Sequence, residues 1–120
     1  MTSTEQSTGV EVMFPDDAED FIAKHAEGTY TLLDVRQPPE YEKEHLPGAD
    51  LIPLPELLDS LEGLDPEKPT IVYCAVGGRS RMAAQLLANQ DFKEVFHLEG
   101  GMQAWEGLAA EGPREFHLRF

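Results

Sequence analysis

The sequence predicts an α/β domain of three layers, α/β/α, on a mainly parallel five-stranded sheet. Three observations lead there. Short apolar runs alternate with helical patterns along most of the chain. Tyr30–Val35 (YTLLDV) is apolar nearly throughout, as expected of a strand covered on both faces. Helical patterns between the runs imply right-handed crossovers, which make neighbouring strands parallel.

Taken in order, Val10–Phe14 reads as a first strand. Pro15-Asp16-Asp17 opens a helix, because proline suits the first helical turn and acids complement the helix dipole there. Phe21, Ile22 and Ala26 form its apolar face, and Gly28 is expected to close it. After strand Tyr30–Val35, a brief helix is expected over Pro38–Glu44, followed by turn residues Leu46-Pro47-Gly48-Ala49. Leu51–Leu54 is a short strand whose Pro53 places it at a sheet edge. Pro55–Leu64 reads as a helix with Leu57, Leu58 and Leu61 on one face. Asp65–Pro69 is a loop, and Thr70–Cys74 (TIVYC) is the best central strand. Beyond the turn Ala75–Gly78, residues Met82, Ala83, Leu86 and Leu87 mark an amphipathic helix. Glu94–Leu98 is the last strand, Gly100-Gly101 a turn, and Met102–Ala110 a final helix holding Trp105. Residues 1–9 are expected to be a flexible tail, 10–111 one domain, and 112–120 a C-terminal extension ending in REFHLRF.

Composition narrows the partners. The 120 residues carry 9 Lys+Arg against 23 Asp+Glu, a formal charge of -14. Nucleic acid and anionic membranes are disfavoured, because phosphate surfaces require basic density. No run of about 18 apolar residues suggests a spanning helix. The start, MTSTEQSTGVEV, lacks a basic stretch followed by an apolar one, so no signal peptide and a cytoplasmic location are expected. The single cysteine, Cys74, has no intramolecular disulfide partner or resolving thiol. His25, His45, His97 and His117 are not in metal-ligand spacing with it, and no nucleotide-binding glycine motif occurs. Neither a metal nor a cofactor is expected.

Chemistry concentrates at Ile71–Arg81. A buried strand delivers Cys74 to its C-terminal end, where open parallel sheets place their ligand crevice. Ala75, Val76, Gly77 and Gly78 form a small-residue loop that feeds into a helix, and its free amides make a concave anion site. Arg79 and Arg81 stand at that helix's N-terminal end, against the preference of the dipole, and an anionic ligand or thiolate reverses the cost. A lone cysteine in an apolar strand is often an inert core residue; its strand-end position, the glycines and the arginines point instead to a reactive thiol. A cysteine phosphatase spaces its arginine six positions after the cysteine. Here that position is Ser80 and Arg79 comes one residue earlier, which makes the loop shorter than a phosphate cradle. The tighter loop suits a single sulfur atom carried on the cysteine.

Asp34-Val35-Arg36, Glu40-Tyr41, His45–Ala49, Val72-Tyr73-Cys74 with Gly78-Arg79-Ser80, Leu98–Gly101 and Ala104-Trp105 together resemble the single-domain rhodanese family, over roughly residues 10 to 110. The resemblance implies sulfurtransferase activity, with Cys74 as nucleophile and Cys74–Arg79 as the active-site loop. A sulfane sulfur would pass from a small donor (thiosulfate or a persulfide) through a persulfide on Cys74 to cyanide or a thiol, with a protein acceptor as a further candidate. Arg79 is expected to steer or contact the donor, with Arg81 assisting. Asp34 and Arg36 are expected to brace the loop, and His45 to be structural or a proton carrier. Ala75-Val76 is apolar, where many thiosulfate-using members carry a polar or charged residue. Competing readings are a non-catalytic or regulatory interaction module, and a phosphatase or arsenate reductase on a related scaffold.

The net charge generates one prediction. An anionic donor approaches a chain of charge -14, and salt shortens that repulsion to about 8 Å at physiological strength. Turnover at sub-saturating thiosulfate is therefore expected to rise on adding moderate salt. A flat or falling rate would show that local groups, not the global field, control arrival.

Overall fold

A computed structural model of the chain describes residues 9–112. The elements are β1 (Val10–Met13), α1 (Pro15–Lys24), β2 (Thr31–Asp34), α2 (Pro38–Lys43), β3 (Asp50–Leu51), β4 (Thr70–Tyr73), α3 (Gly78–Asn89), β5 (Val95–Leu98) and α4 (Gly101–Ala104). The strands form one sheet in the order β1-β5-β4-β2-β3, with every pairing parallel. The short β3 lies at the edge as expected, but it stops at Leu51, so Pro53 and Leu54 of the strand expected over Leu51–Leu54 fall outside it.

The two-residue alternation of strands divides the core into two halves. Leu32, Ile71, Tyr73 and Leu98 face the layer of α1, α2 and α4, where Ala18, Tyr41 and Met102 pack. Leu33, Val72, Cys74 and Val95 face the other layer, against Ala83, Ala84 and Leu87 of α3 and against Leu57. Consecutive residues Tyr73 and Cys74 thus serve opposite faces at the C-terminal end of the central strand.

Three further elements differ from the sequence expectation. The helix expected over Pro55–Leu64 is two 3₁₀ pieces, Leu54–Glu56 and Leu58–Gly63. Its chain is still tied to β2, through Ile52 N–H to the Asp34 carbonyl and Leu54 N–H to that of Val35. Ser60 Oγ donates to the Glu56 carbonyl at 2.9 Å, competing for the acceptor an α-helix needs. The final helix stops at Ala104, not Ala110. Trp105 Nε1 donates to the Leu108 carbonyl, and Ala110 pairs with His45 in an antiparallel bridge, which turns the chain back over α2. Finally, α1 ends at Lys24 before Gly28, because the His25 ring nitrogen Nδ1 takes the Phe21 carbonyl at 2.8 Å. The expected tail over 1–8 and the segment 113–120, including His117, lie outside the described residues.

A charged pair is buried at the C-terminal end of β2. Asp34 is 0% and Arg36 4% exposed. Arg36 Nε and Nη2 donate to both Asp34 oxygens at 2.7–3.1 Å, and Nη2 also donates to the Glu44 carbonyl. The guanidinium lies 5.6 Å from the centroid of the Tyr73 ring, within cation–π range. The Tyr73 hydroxyl accepts from Leu46 N–H at 3.0 Å. Burial, and then the Asp34 carboxylate, push the Tyr73 phenol far above its ordinary pKa, so it stays neutral. Removing one partner of such a pair strands the other charge, at about 3 kcal/mol or more. Asp34→Ala is expected to lower Tm by more than about 10 °C, and Asp34→Ala with Arg36→Leu to recover part of the loss in thermal unfolding. Equal melting of wild type and Asp34→Ala would show that the pair is not supporting the fold.

Candidate active site

The loop after β4 is held from outside by α4. Met102 N–H donates to the Cys74 carbonyl at 2.8 Å, and Gln103 N–H to the Ala75 carbonyl at 2.9 Å. With the Ala75 carbonyl turned toward α4, the Val76 amide of the same peptide plane faces inward to the Cys74 sulfur, and two further amides join it. Gly77 N–H reaches Cys74 Sγ at 3.1 Å and Ser80 N–H at 3.3 Å. Two glycines make this path possible. Gly77 has φ +139, a conformation other residues rarely adopt. Gly101 has φ +54, and a Cβ there would overlap the Cys74 carbonyl oxygen.

Cys74 is the floor of this ring and 1% exposed. Burial pushes its thiol up. The Ser80 hydroxyl and the amides of Ser80, Gly77 and Val76 more than offset that by hydrogen bonding, and the net pKa lies below the ordinary value. Ser80 is itself buried, with Oγ 3.5 Å from Sγ. Val76 is 58% exposed at the rim.

The sequence placed Arg79 as a donor-contacting cation, but its fork is committed to Glu40, with Nη1 and Nη2 at 2.9 and 3.0 Å from the two carboxylate oxygens. Glu40 also accepts from Gln37 N–H at the start of α2, so the pair ties α3 to α2 beside the loop. Arg81 lies further out, with Nη2 3.4 Å from Glu99 Oε1 and 3.5 Å from His97 Nε2. Asp34 and Arg36 occupy the β2 end next to Tyr73, on the face opposite Cys74. His45 is buried, stacked on Tyr41 at 3.6 Å between ring centroids, with Nδ1 2.6 Å from the Tyr41 carbonyl.

Sequence reasoning missed three contributors. His97, weighed in the sequence as a metal ligand, is 1% exposed with Nδ1 2.9 Å from Ser80 Oγ. Glu40 neutralises Arg79. Gly101 gives α4 its approach to the loop. The available signals were two blocks of the family resemblance, Glu40-Tyr41 and Leu98–Gly101, and in the second the glycine pair marks a special backbone.

The Rhodanese-like domain family model matches residues 17–108. The chain belongs to the rhodanese-like domain family. A thiosulfate sulfurtransferase, GlpE, of Coxiella burnetii is 41% identical over 75 residues, covering 62% of this chain and 70% of the relative. A chloroplastic rhodanese-like/PpiC domain-containing protein of Arabidopsis thaliana is 45% identical over 78 residues, which are 62% of this chain but only 26% of that protein. A crystal structure of a rhodanese-like domain protein from Staphylococcus aureus superimposes with a TM-score of 0.76, covering 84% of this chain and 97% of the other, at 24% identity. That likeness establishes the fold.

The Glu40–Arg79 pair generates a pH prediction. The Arg79 guanidinium beside it holds the Glu40 carboxyl at about 2. Because the folded value lies below that of the unfolded chain, the pair's contribution is complete above the ordinary carboxylate range and disappears as pH falls through about 2. A carboxyl-carbon NMR titration of Glu40 is expected to show its midpoint there. A midpoint in the ordinary range would show that Arg79 is free for substrate.

Proposed function

We propose that the protein is a sulfurtransferase that carries a sulfane sulfur as a persulfide on Cys74. The carrying observation is the pair of amides, Gly77 N–H and Ser80 N–H, aimed at Cys74 Sγ at the start of α3. The thiolate attacks the outer sulfur of a donor such as thiosulfate. A new S–S bond forms, the donor's S–S bond breaks, and sulfite leaves with the electron pair. An acceptor nucleophile (cyanide or a thiolate) then attacks the outer sulfur, and Cys74 departs as thiolate, a double-displacement course.

The ring acts chiefly by holding negative charge. For any thiol, a fall of about two in pKa from about 8.5 raises the thiolate share at neutral pH about 25-fold, while intrinsic nucleophilicity falls about eightfold. A net gain near threefold is small beside the contribution of preorganised donors, where losing one costs about 10²–10³ in rate. Those donors serve the resting thiolate and, with a small shift outward, the terminal sulfur of the persulfide.

The charge arrangement bears on the donor. Arg79 is neutralised by Glu40 and Arg81 is shared with Glu99, and Ala75-Val76 adds no polar side chain. Persulfide donors, recognised through sulfur more than through an anionic tail, fit this rim alongside thiosulfate. The acceptor is a small thiol or a thiol-bearing protein, and the location in this reading is cytoplasmic. One observation favours a second reading, a non-catalytic interaction module: the near-complete shielding of Cys74.

Mass spectrometry after incubation with thiosulfate separates the two. The chain is expected to gain one sulfur atom, lost again on adding cyanide and absent in Cys74→Ser. No gain with either thiosulfate or a small persulfide would leave the interaction module.

A further inference from the structure

Arg79 crosses the sheet at the carboxyl ends of its strands. It starts from α3, which packs with Cys74 on one face, and ends on Glu40 of α2, which packs with Tyr73 on the other. Those helices follow β4 and β2, which are neighbours in the sheet. The bridge therefore passes beside the Cys74 loop, at the end of a parallel sheet where ligands bind. Arg79 also precedes Ser80, whose N–H lies 3.3 Å from Cys74 Sγ. One peptide unit separates the two, so the Arg79 Cα is within about 6 Å of the sulfur. Hydrogen bonding to Glu40 raises the Arg79 pKa against burial, and the charges of Glu40 and Cys74 add to it, so the guanidinium is within electrostatic reach of the sulfur.

Glu40 is held in place independently of Arg79. Its Oε1 accepts from Gln37 N–H at 2.9 Å, and the Gln37 side chain accepts from the Glu40 amide in return. Pro38 and Pro39 set the first turn of α2 between them. The carboxylate so fixed takes both terminal nitrogens of Arg79, at 2.9 and 3.0 Å. The pair is still open to a small anion, because its side chains are 37% and 34% exposed. Such an anion meets a guanidinium already engaged in a two-pronged contact, beside a carboxylate that repels it. Neighbouring guanidinium groups offer no replacement: Arg36 is buried on Asp34, and Arg81 is shared with Glu99.

We propose that Glu40 is a specificity-determining residue: by occupying Arg79, it sets the site against dianionic donors such as thiosulfate and toward persulfides with an uncharged tail. This rests on the sulfur-transfer reading and names the donor class for that site. Glu40 touches no donor and acts through Arg79.

The test measures thiosulfate binding by titration calorimetry on the full chain carrying Cys74→Ser, which has no thiolate to react. Adding Glu40→Gln keeps an oxygen for the Gln37 amide but turns a nitrogen, a donor only, toward one arm of Arg79. Thiosulfate is then expected to bind about fivefold more tightly, a gain where mere damage to the fold gives a loss. Glu42→Gln removes the same charge from an exposed position of the same helix and is expected to leave the dissociation constant unchanged. Arg79→Leu, added to Glu40→Gln, is expected to abolish the gain. Equal, weaker or undetectable binding with Glu40→Gln overturns the proposal. So does an equal gain with Glu42→Gln, or a gain that survives Arg79→Leu. With Glu40 intact, the nitrogen-15 signal of Arg79 Nε–H is expected to stay in place as thiosulfate is added to the Cys74→Ser chain. A saturable shift there overturns the proposal even if Glu40→Gln fails to fold. None of these readouts involves sulfur transfer. A chain that meets them yet gains no sulfur from thiosulfate or a small persulfide therefore loses the proposed activity and keeps the Glu40 assignment.

Discussion

The site depends on the direction of two peptide planes. Met102 and Gln103 amides capture the Cys74 and Ala75 carbonyls, which turns the Val76 amide of the second plane toward the sulfur, where the Gly77 and Ser80 amides join it. If those carbonyls turned inward, the thiolate would face negative oxygen ends of the peptide dipoles and its pKa would rise. The approach needs a residue without a side chain at 101, since even a Cβ would overlap the Cys74 carbonyl oxygen. A four-residue helix far along the chain thus helps to set the surroundings of the Cys74 sulfur, alongside the loop that carries it.

The alternation of β4 extends this constraint through the sheet. Tyr73 and Cys74 are adjacent, yet one packs with the layer of α1 and α2 and the other with α3. Tyr73 accepts from Leu46 N–H and lies under the Arg36 guanidinium, so the strand end is anchored on one face while the sulfur is presented on the other. The register pairs Asp34 with Tyr73 across β2 and β4. The buried ion pair therefore fixes the strand from which the loop departs, without touching the reacting atom.

Much of this was readable in the residues, for definite reasons. Runs such as TIVY and YTLLDV read as short buried strands, and the helical spacings between them set the parallel order. Cys74 and its glycine loop were legible because strand-end position and loop composition are local. What failed was long-range. Residues 54–64 have helical spacing, but the tether to β2 and the Ser60 side chain divert them into 3₁₀ turns. Residues 105–110 read as helix, but Ala110 finds a sheet-like partner in His45, 65 positions earlier. Arg79 was read from its place on α3, whereas its fork is filled from α2, and no spacing in the chain records that meeting. His97 alternates correctly for a strand, and only the packing of α3 on β5 brings Ser80 to it.

The electrostatics follow from that packing. The chain carries -14 overall, yet the sulfur is surrounded by donors, and salt confines distant charge to about 8 Å. With Arg79 taken by Glu40 and Arg81 shared with Glu99 and His97, formal cations contribute little net field at the rim. Peptide dipoles and the start of α3 remain, and they are fixed by the fold, short in range and insensitive to the surface. Such a field discriminates by where negative charge sits, not by how much a molecule carries. A sulfur bonded to Cys74 places its charge within the ring, whereas the tail of a bulky anion stays outside it. In the proposed reading, selectivity for small sulfur-bearing groups would follow from using backbone, not arginine, to hold the charge.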